Sequence, residues 1–165
     1  MTLKVENGQE GGAAAVLPIL KEVVGAVLET MFFSEAAARP CDHSELDAPG
    51  AREEWISARV RFAGAPTGEL RVMLSHELAR FMAASFLGSD PEEVTSDADG
   101  QVSCELANMI CGALLSRLHP DAAVSLNPPE LVPVDFAALD GVHQCLDTPD
   151  GTLAVSMRIE PGSAP

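Results

Sequence analysis

Two side chains pose the chemical question in this sequence: Glu105 and Asn108, three residues apart within the apolar-striped segment SCELANMICGALLSRL. Three residues of α-helix amount to roughly 60° of azimuth and about 4.5 Å of rise, so the carboxylate and the amide project from one face. An amide has no titratable proton and cannot serve as a general base. It can accept one hydrogen bond while donating another, which fixes a water molecule in one orientation. A carboxylate beside it can pair with a partner's cation, a charge-assisted bond of roughly 1.5 to 3 kcal/mol once the contact excludes water. Gly112, four residues beyond Asn108, costs roughly 1 kcal/mol of helix stability relative to Ala and leaves the surface beside the amide bare. A partner's backbone could approach there.

Cys41-x-His43 and His143-x-Cys145 form a second constellation. Residues two apart on a strand share a face, so the two pairs brought together would offer Zn²⁺ a tetrahedral Cys₂His₂ set; the alternative is a pair of edge strands with incidental soft side chains. We assign no metal. The other two cysteines, Cys104 and Cys111, lie seven residues apart on one helix, or roughly 10.5 Å, which exceeds the approximately 7 Å limit on Cα separation for a bridge. With no C-x-x-C pair among the four cysteines, all are expected to be free, reduced thiols.

The elements that must hold these residues are legible from periodicity. The site helix, 103–118, buries a stripe of Leu106, Ile110, Ala113, Leu114 and Leu118. A first long helix runs from about Ala13 to about Phe33 behind a polar, flexible tail of residues 1–12. A short strand falls within 39–47. Trp55–Phe62 and Gly68–Ser75 alternate apolar and polar residues around a turn and predict a hairpin. Ser75 then caps a helix over 76–87 that turns Leu78, Phe81, Met82 and Phe86 inward and stops at Gly88. Asp90-Pro91-Glu92-Glu93 reads as a new helix start, and Asp97, Asp99 and Gly100 lead into the site helix, which His119-Pro120 ends. Ala122–Leu126 is a short strand closed by Asn127-Pro128-Pro129. Val142–Asp147 and Thr152–Ile159 flank the turn 148–151 as a second hairpin. The expected fold is an α+β two-layer sandwich, two long helices on a largely antiparallel sheet in two pseudo-repeated halves. One domain spans 13–160, followed by a tail at 161–165.

Composition narrows the partners. Ten basic against 25 acidic residues give a formal charge of −15, which repels nucleic acid and anionic lipid alike and favours a protein partner that presents a cation. No apolar run reaches the roughly 20 residues of a membrane span and the first residues carry no secretory signal pattern, so a cytoplasmic location is expected.

Glu105-x-x-Asn108 followed by Gly112, on the long helix of a small α/β chain, resembles the CheC/CheX family of chemotaxis phosphatases, and most the single-site CheX branch. The resemblance extends from about Leu17 to about Glu160. It implies a phosphatase that docks on a phosphorylated CheY-like response regulator and hydrolyses its aspartyl phosphate, with Glu105 as anchor and Asn108 as catalytic amide. It further implies no cofactor in this chain, Mg²⁺ being supplied by the partner receiver, and a homodimer. Where the family has Asp or Ser four residues before the Glu, this chain has Gln101. Where it has Pro some two dozen residues after the Asn, Pro128, Pro129 and Pro133 bracket the place. Gln101, Gly112 and Pro129 are therefore the expected partner-binding positions. The first long helix offers Glu22-x-x-Gly25 and Glu29-x-x-Phe32, neither with the amide, so one site is expected. The competing reading is a non-catalytic receiver-binding adaptor or motor-switch component, which Gln101 favours.

Overall fold

The computed structural model describes residues 3–41, 55–135 and 141–161. In chain order these form α1 (Leu3–Phe32), β1 (Ala37–Arg39), β2 (Trp55–Gly64), β3 (Gly68–Ser75), α2 (His76–Leu87), α3 (Ser96–Leu118), β4 (Val124–Leu126), β5 (Glu130–Val132), β6 (Val142–Thr148) and β7 (Gly151–Ile159). A single turn of 3₁₀-helix at Pro91–Glu93 precedes α3. The seven strands make one antiparallel sheet in the order β1-β6-β7-β3-β2-β4, with β5 also pairing on β2. Helices lie on one face, giving the α+β two-layer sandwich expected from the sequence.

Strand alternation sends one side-chain set into the helices. Ala58, Val60 and Phe62 of β2, Leu70, Val72 and Leu74 of β3, and Leu153, Val155 and Met157 of β7 are buried against Leu20, Val24 and Leu28 of α1 and Leu106, Ile110 and Leu114 of α3. Both expected hairpins form, and their inner strands β3 and β7 pair with each other at the centre of the sheet. α2 is bounded as its sequence dictates: the Ser75 hydroxyl accepts from the Leu78 N–H, and Gly88 takes the left-handed conformation at φ 65°.

Several boundaries differ from the sequence reading. α1 is helical from Leu3, where a tail was expected up to residue 12, because no proline or cap interrupts the chain there and propagating a helix is far easier than starting one. α3 starts at Ser96, so Asp97, Asp99 and Gly100 lie inside it; Asp97 suits the positive end of the helix dipole, and the Ser103 hydroxyl donates to the Asp99 carbonyl. The short first strand is Ala37–Arg39, and most of the 39–47 interval falls outside the described residues, as do 162–165. An unexpected strand, β5, follows the prolines; Arg59 ties it to β2 by donating from Nε and Nη2 to Glu130 Oε1 at 3.1 and 2.6 Å. With β5 present, the two halves do not match element for element.

The free-thiol expectation holds for Cys104 and Cys111 and is corrected for the other two: Cys41 and Cys145 are bonded to each other. The register Arg39↔Cys145 sets the end of β1 beside β6 and brings the two Cα atoms to 5.0 Å, a proximity across 104 residues that spacing along the chain cannot reveal. Cys145 sits with Met73 and Ala154 in a small apolar cluster on the face of the sheet away from the helices. The bridge occupies both sulfurs of the Cys/His constellation, so a Cys₂His₂ zinc set is not available in this state. His43 lies outside the described residues, and the His143 Nδ1 lies 3.2 Å from the Gly141 carbonyl.

Candidate functional site on the third helix

α3 is anchored by its inward residues. Val102, Leu106, Ile110 and Leu114 are buried, which turns the positions between them outward. Gln101, Glu105, Asn108 and Gly112 then follow one another at spacings of four, three and four along a single face, with Gln101 and Glu105 exposed and Asn108 and Gly112 half-buried. The carboxylate is free to reach a partner, while the amide sits deeper, where fewer of its orientations are open.

β5 and β4 flank this face. A Cβ placed on Gly100 would stand 2.8 Å from the Leu131 Cδ1, so β5 leans on the start of the helix; at Gly112 the nearest atom would be the Leu126 Cδ1 at 3.8 Å, an ordinary contact. Gly112 is therefore not required by packing. Gly112→Ala should stabilise the fold by roughly 1 kcal/mol in chemical denaturation, since Ala suits a helix interior better. If the bare surface serves a partner, the same variant should bind that partner more weakly.

On its other flank the helix borders the end of α2. Between them lies a groove of about 690 Å³ lined by Phe86, Leu87, Asp97, Gln101, Glu105 and Leu131 among others. The sequence reading placed Phe86 inward because it continues the α2 stripe. Its ring instead packs beside Phe32, with centroids 5.9 Å apart, and remains 53% exposed. Leu87 and Leu131 also line this groove, and spacing singled out neither. Pro129 belongs elsewhere: it lines a separate hollow with Arg61, Asn127, Pro128 and Glu130, so the structure unites Gln101 and Glu105 in one groove but leaves Pro129 out of it.

Two titratable groups beside the face have shifted equilibria. The Cys104 thiol is pushed up by burial and by the charges of Glu105 and Glu130, and the Cys111 thiol is pushed up to about 12 by burial. Only the thiolate is a good nucleophile, so both cysteines serve packing. Asp99 is 2% exposed; its Oδ2 lies 3.8 Å from the Arg80 guanidinium and its Oδ1 has no hydrogen-bond partner. Burial raises its pKa, opposed by the charges of Arg80 and His76. A raised carboxylate contributes stability while protonated, and that contribution is lost as pH climbs through and above the ordinary Asp range. Asp99→Asn is accordingly expected to add about 1 kcal/mol at neutral pH. It should also flatten the fall in melting temperature as pH rises through and above the ordinary Asp range. Thermal unfolding across that range measures both, and an unchanged slope would remove Asp99 as its source.

Among the described residues no group of three His, Cys, Asp or Glu side chains is placed to hold a metal ion, and no helix is long and apolar enough to cross a membrane. The arrangement offers a carboxylate and an amide on one open helix face, beside an apolar groove. The fold has counterparts among solved structures. The structure is similar to the chemotaxis protein CheX from Vibrio vulnificus, with a TM-score of 0.69 and 17% identity over 90% of this chain and 98% of that one. It is similar to the CheX-CheY-BeF3-Mg+2 complex from Borrelia burgdorferi, with a TM-score of 0.61 and 17% identity over 86% and 95% of the two chains. Thermotoga maritima FliY shares the fold more distantly, with a TM-score of 0.54 and 11% identity over 90% and 92%. No curated protein matches in sequence. The pattern of the family described as chemotaxis phosphatase CheX matches residues 56–138, half of the chain, from β2 through the whole of α3 and β5. The chain belongs to the chemotaxis phosphatase CheX family.

Proposed function

We propose that this chain hydrolyses the aspartyl phosphate of a CheY-like receiver, with Glu105 as the docking carboxylate and Asn108 as the group that orients the attacking water. The observation that supports this reading is the pairing of an exposed carboxylate and a half-buried amide, one turn apart, on a helix face that packing leaves open. Phosphoryl transfer asks little covalent chemistry of a protein, so a positioned hydrogen-bonding group is enough to act. The Asn108 carbonyl oxygen accepts a hydrogen bond from the water and its NH₂ donates to the phosphoryl group, which aligns the water with the phosphorus atom. Glu105 pairs with a lysine at the receiver's active site and sets the register of the complex. Mg²⁺ comes with the receiver, where it neutralises charge on the phosphoryl oxygens; the Borrelia complex, which contains CheY and Mg²⁺, favours this division of parts. Gln101 and Gly112 border the contact.

The test is phosphate release from a cognate receiver charged with acetyl phosphate in Mg²⁺, with binding followed separately on a receiver loaded with a phosphoryl analogue. Faster loss of phosphate supports catalysis. Binding through α3 without acceleration would favour the adaptor reading, which Gln101 in place of the family's Asp or Ser supports. The reading places the protein in the cytoplasm, where the Cys41–Cys145 bridge would be open to reduction.

The homodimer belongs to the same proposal. The sheet ends in three-residue strands, β1 on one side and β4 and β5 on the other; edges this short offer little backbone to a second copy, so the dimer rests on the family resemblance. Light scattering that returned a mass near 17.3 kDa at tens of micromolar protein would remove the dimer.

A further inference from the structure

Large apolar side chains exposed singly are ordinary on a protein surface, whereas several converging on one concavity mark a contact. Phe86, Leu87 and Leu131 are 53%, 64% and 55% exposed, come from α2 and β5, and line the same groove beside Glu105. A fourth apolar residue stands at the same end of the helical layer. Phe33 follows Phe32, whose ring packs on Phe86, and is 91% exposed in the left-handed region at φ 52°. Its N–H closes α1 by donating to the Glu29 carbonyl, a role that glycine fills without strain and that Gly88 fills at the end of α2. An aromatic ring held out in this conformation gains nothing from the fold itself.

We infer that the receiver's footprint extends from Glu105 and Asn108 into this groove, and that an apolar side chain of the receiver, carried next to a cation on its surface, fills the space between Phe86, Leu87 and Leu131. This rests on the proposed phosphatase reading and deepens it. Two features select the occupant. Glu105 and Gln101 are themselves walls of the groove, so a partner that engages Glu105 covers the groove mouth at the same time. The ionised groups among the lining residues are Asp97 and Glu105, with no cation, so the apolar anchor must come from a surface that is basic around it. The result is a contact in which an apolar plug supplies affinity and the Glu105 pair supplies register, the usual division between a buried anchor and its polar rim.

The experiment titrates analogue-loaded receiver into the wild type, Leu87→Ser, Leu131→Ser and, as a control for exposed apolar surface elsewhere, Ile159→Ser. Circular dichroism and thermal unfolding verify that each variant is folded, which the exposure of these side chains favours. We expect the two groove variants to weaken binding by about tenfold or more. The control should bind as the wild type does and turn over within about threefold of it. Groove variants that bind normally while Glu105→Ala binds weakly would overturn the groove and leave the docking pair intact. If the wild type binds no receiver, the underlying reading fails and the groove falls with it. If the groove variants instead dissociate a dimer seen by light scattering, the groove is a subunit interface and the assignment to the receiver is wrong.

Discussion

Asn108→Ala is expected to lower turnover of the phosphorylated receiver by about 10² or more while leaving affinity for the analogue-loaded receiver within a few-fold of wild type. The reasoning follows from what an amide can do. Without a titratable proton, Asn108 contributes only by holding the water in line, and that alignment matters most when the water begins to bond to phosphorus. In the ground-state complex the water has other orientations of similar energy, so losing the amide costs little binding. The local fold should tolerate the change, since Asn108 is half-buried on the open side of α3 and Leu106, Ile110 and Leu114 hold the helix in place. Single-turnover phosphate release at saturating enzyme isolates the chemical step. A variant that turned over normally would strip Asn108 of its role even if receiver binding were intact.

Much of the scaffold behind this site could be read from local signals. Both hairpins and the cap and stop of α2 depend on residues within a few positions of one another, and there the sequence and the structure agree; of the expected α3 stripe Leu106, Ile110 and Leu114 are buried, while Ala113 and Leu118 are half-buried. What sequence reading missed depends on distance. β5 is three residues long and forms by pairing on β2, where Arg59 meets Glu130 from 71 positions along the chain. The Cys41–Cys145 bridge is set by the register of β1 on β6. Phe86 obeys the spacing of a buried residue, yet it stands at the last turn of α2, where its ring meets Phe32 and half of it stays in solvent. The expected site residues were read from one helix, and that is why Gln101, Glu105, Asn108 and Gly112 share a face. Pro129, chosen by counting across a loop and two short strands, ends up lining a different hollow.

Glu105→Lys is expected to abolish measurable binding of the receiver at concentrations where Glu105→Ala still binds, with both variants folded. Glu105 is exposed, so neither substitution disturbs the core. Alanine removes one charge-assisted bond, roughly 1.5 to 3 kcal/mol, or about ten- to a hundredfold in affinity. Lysine removes the same bond and sets a cation against the receiver's lysine within the contact, where water cannot screen it. The second loss adds to the first. In a chain with a net charge of −15, any long-range attraction for a basic surface survives either change nearly intact, so the difference between the two variants reports the local pair. Raising the salt concentration should slow association of wild type and Glu105→Ala in parallel, but it should not restore Glu105→Lys. Gln101→Asp is the companion experiment, because it restores the residue found in the family one turn before the anchor. If Gln101 affects only the geometry of the contact, Gln101→Asp should equal or exceed the wild type in phosphate release, and a variant carrying both Gln101→Asp and Glu105→Lys should remain unable to bind. Restored binding in that double variant would show that the register is set by the whole face and not by Glu105.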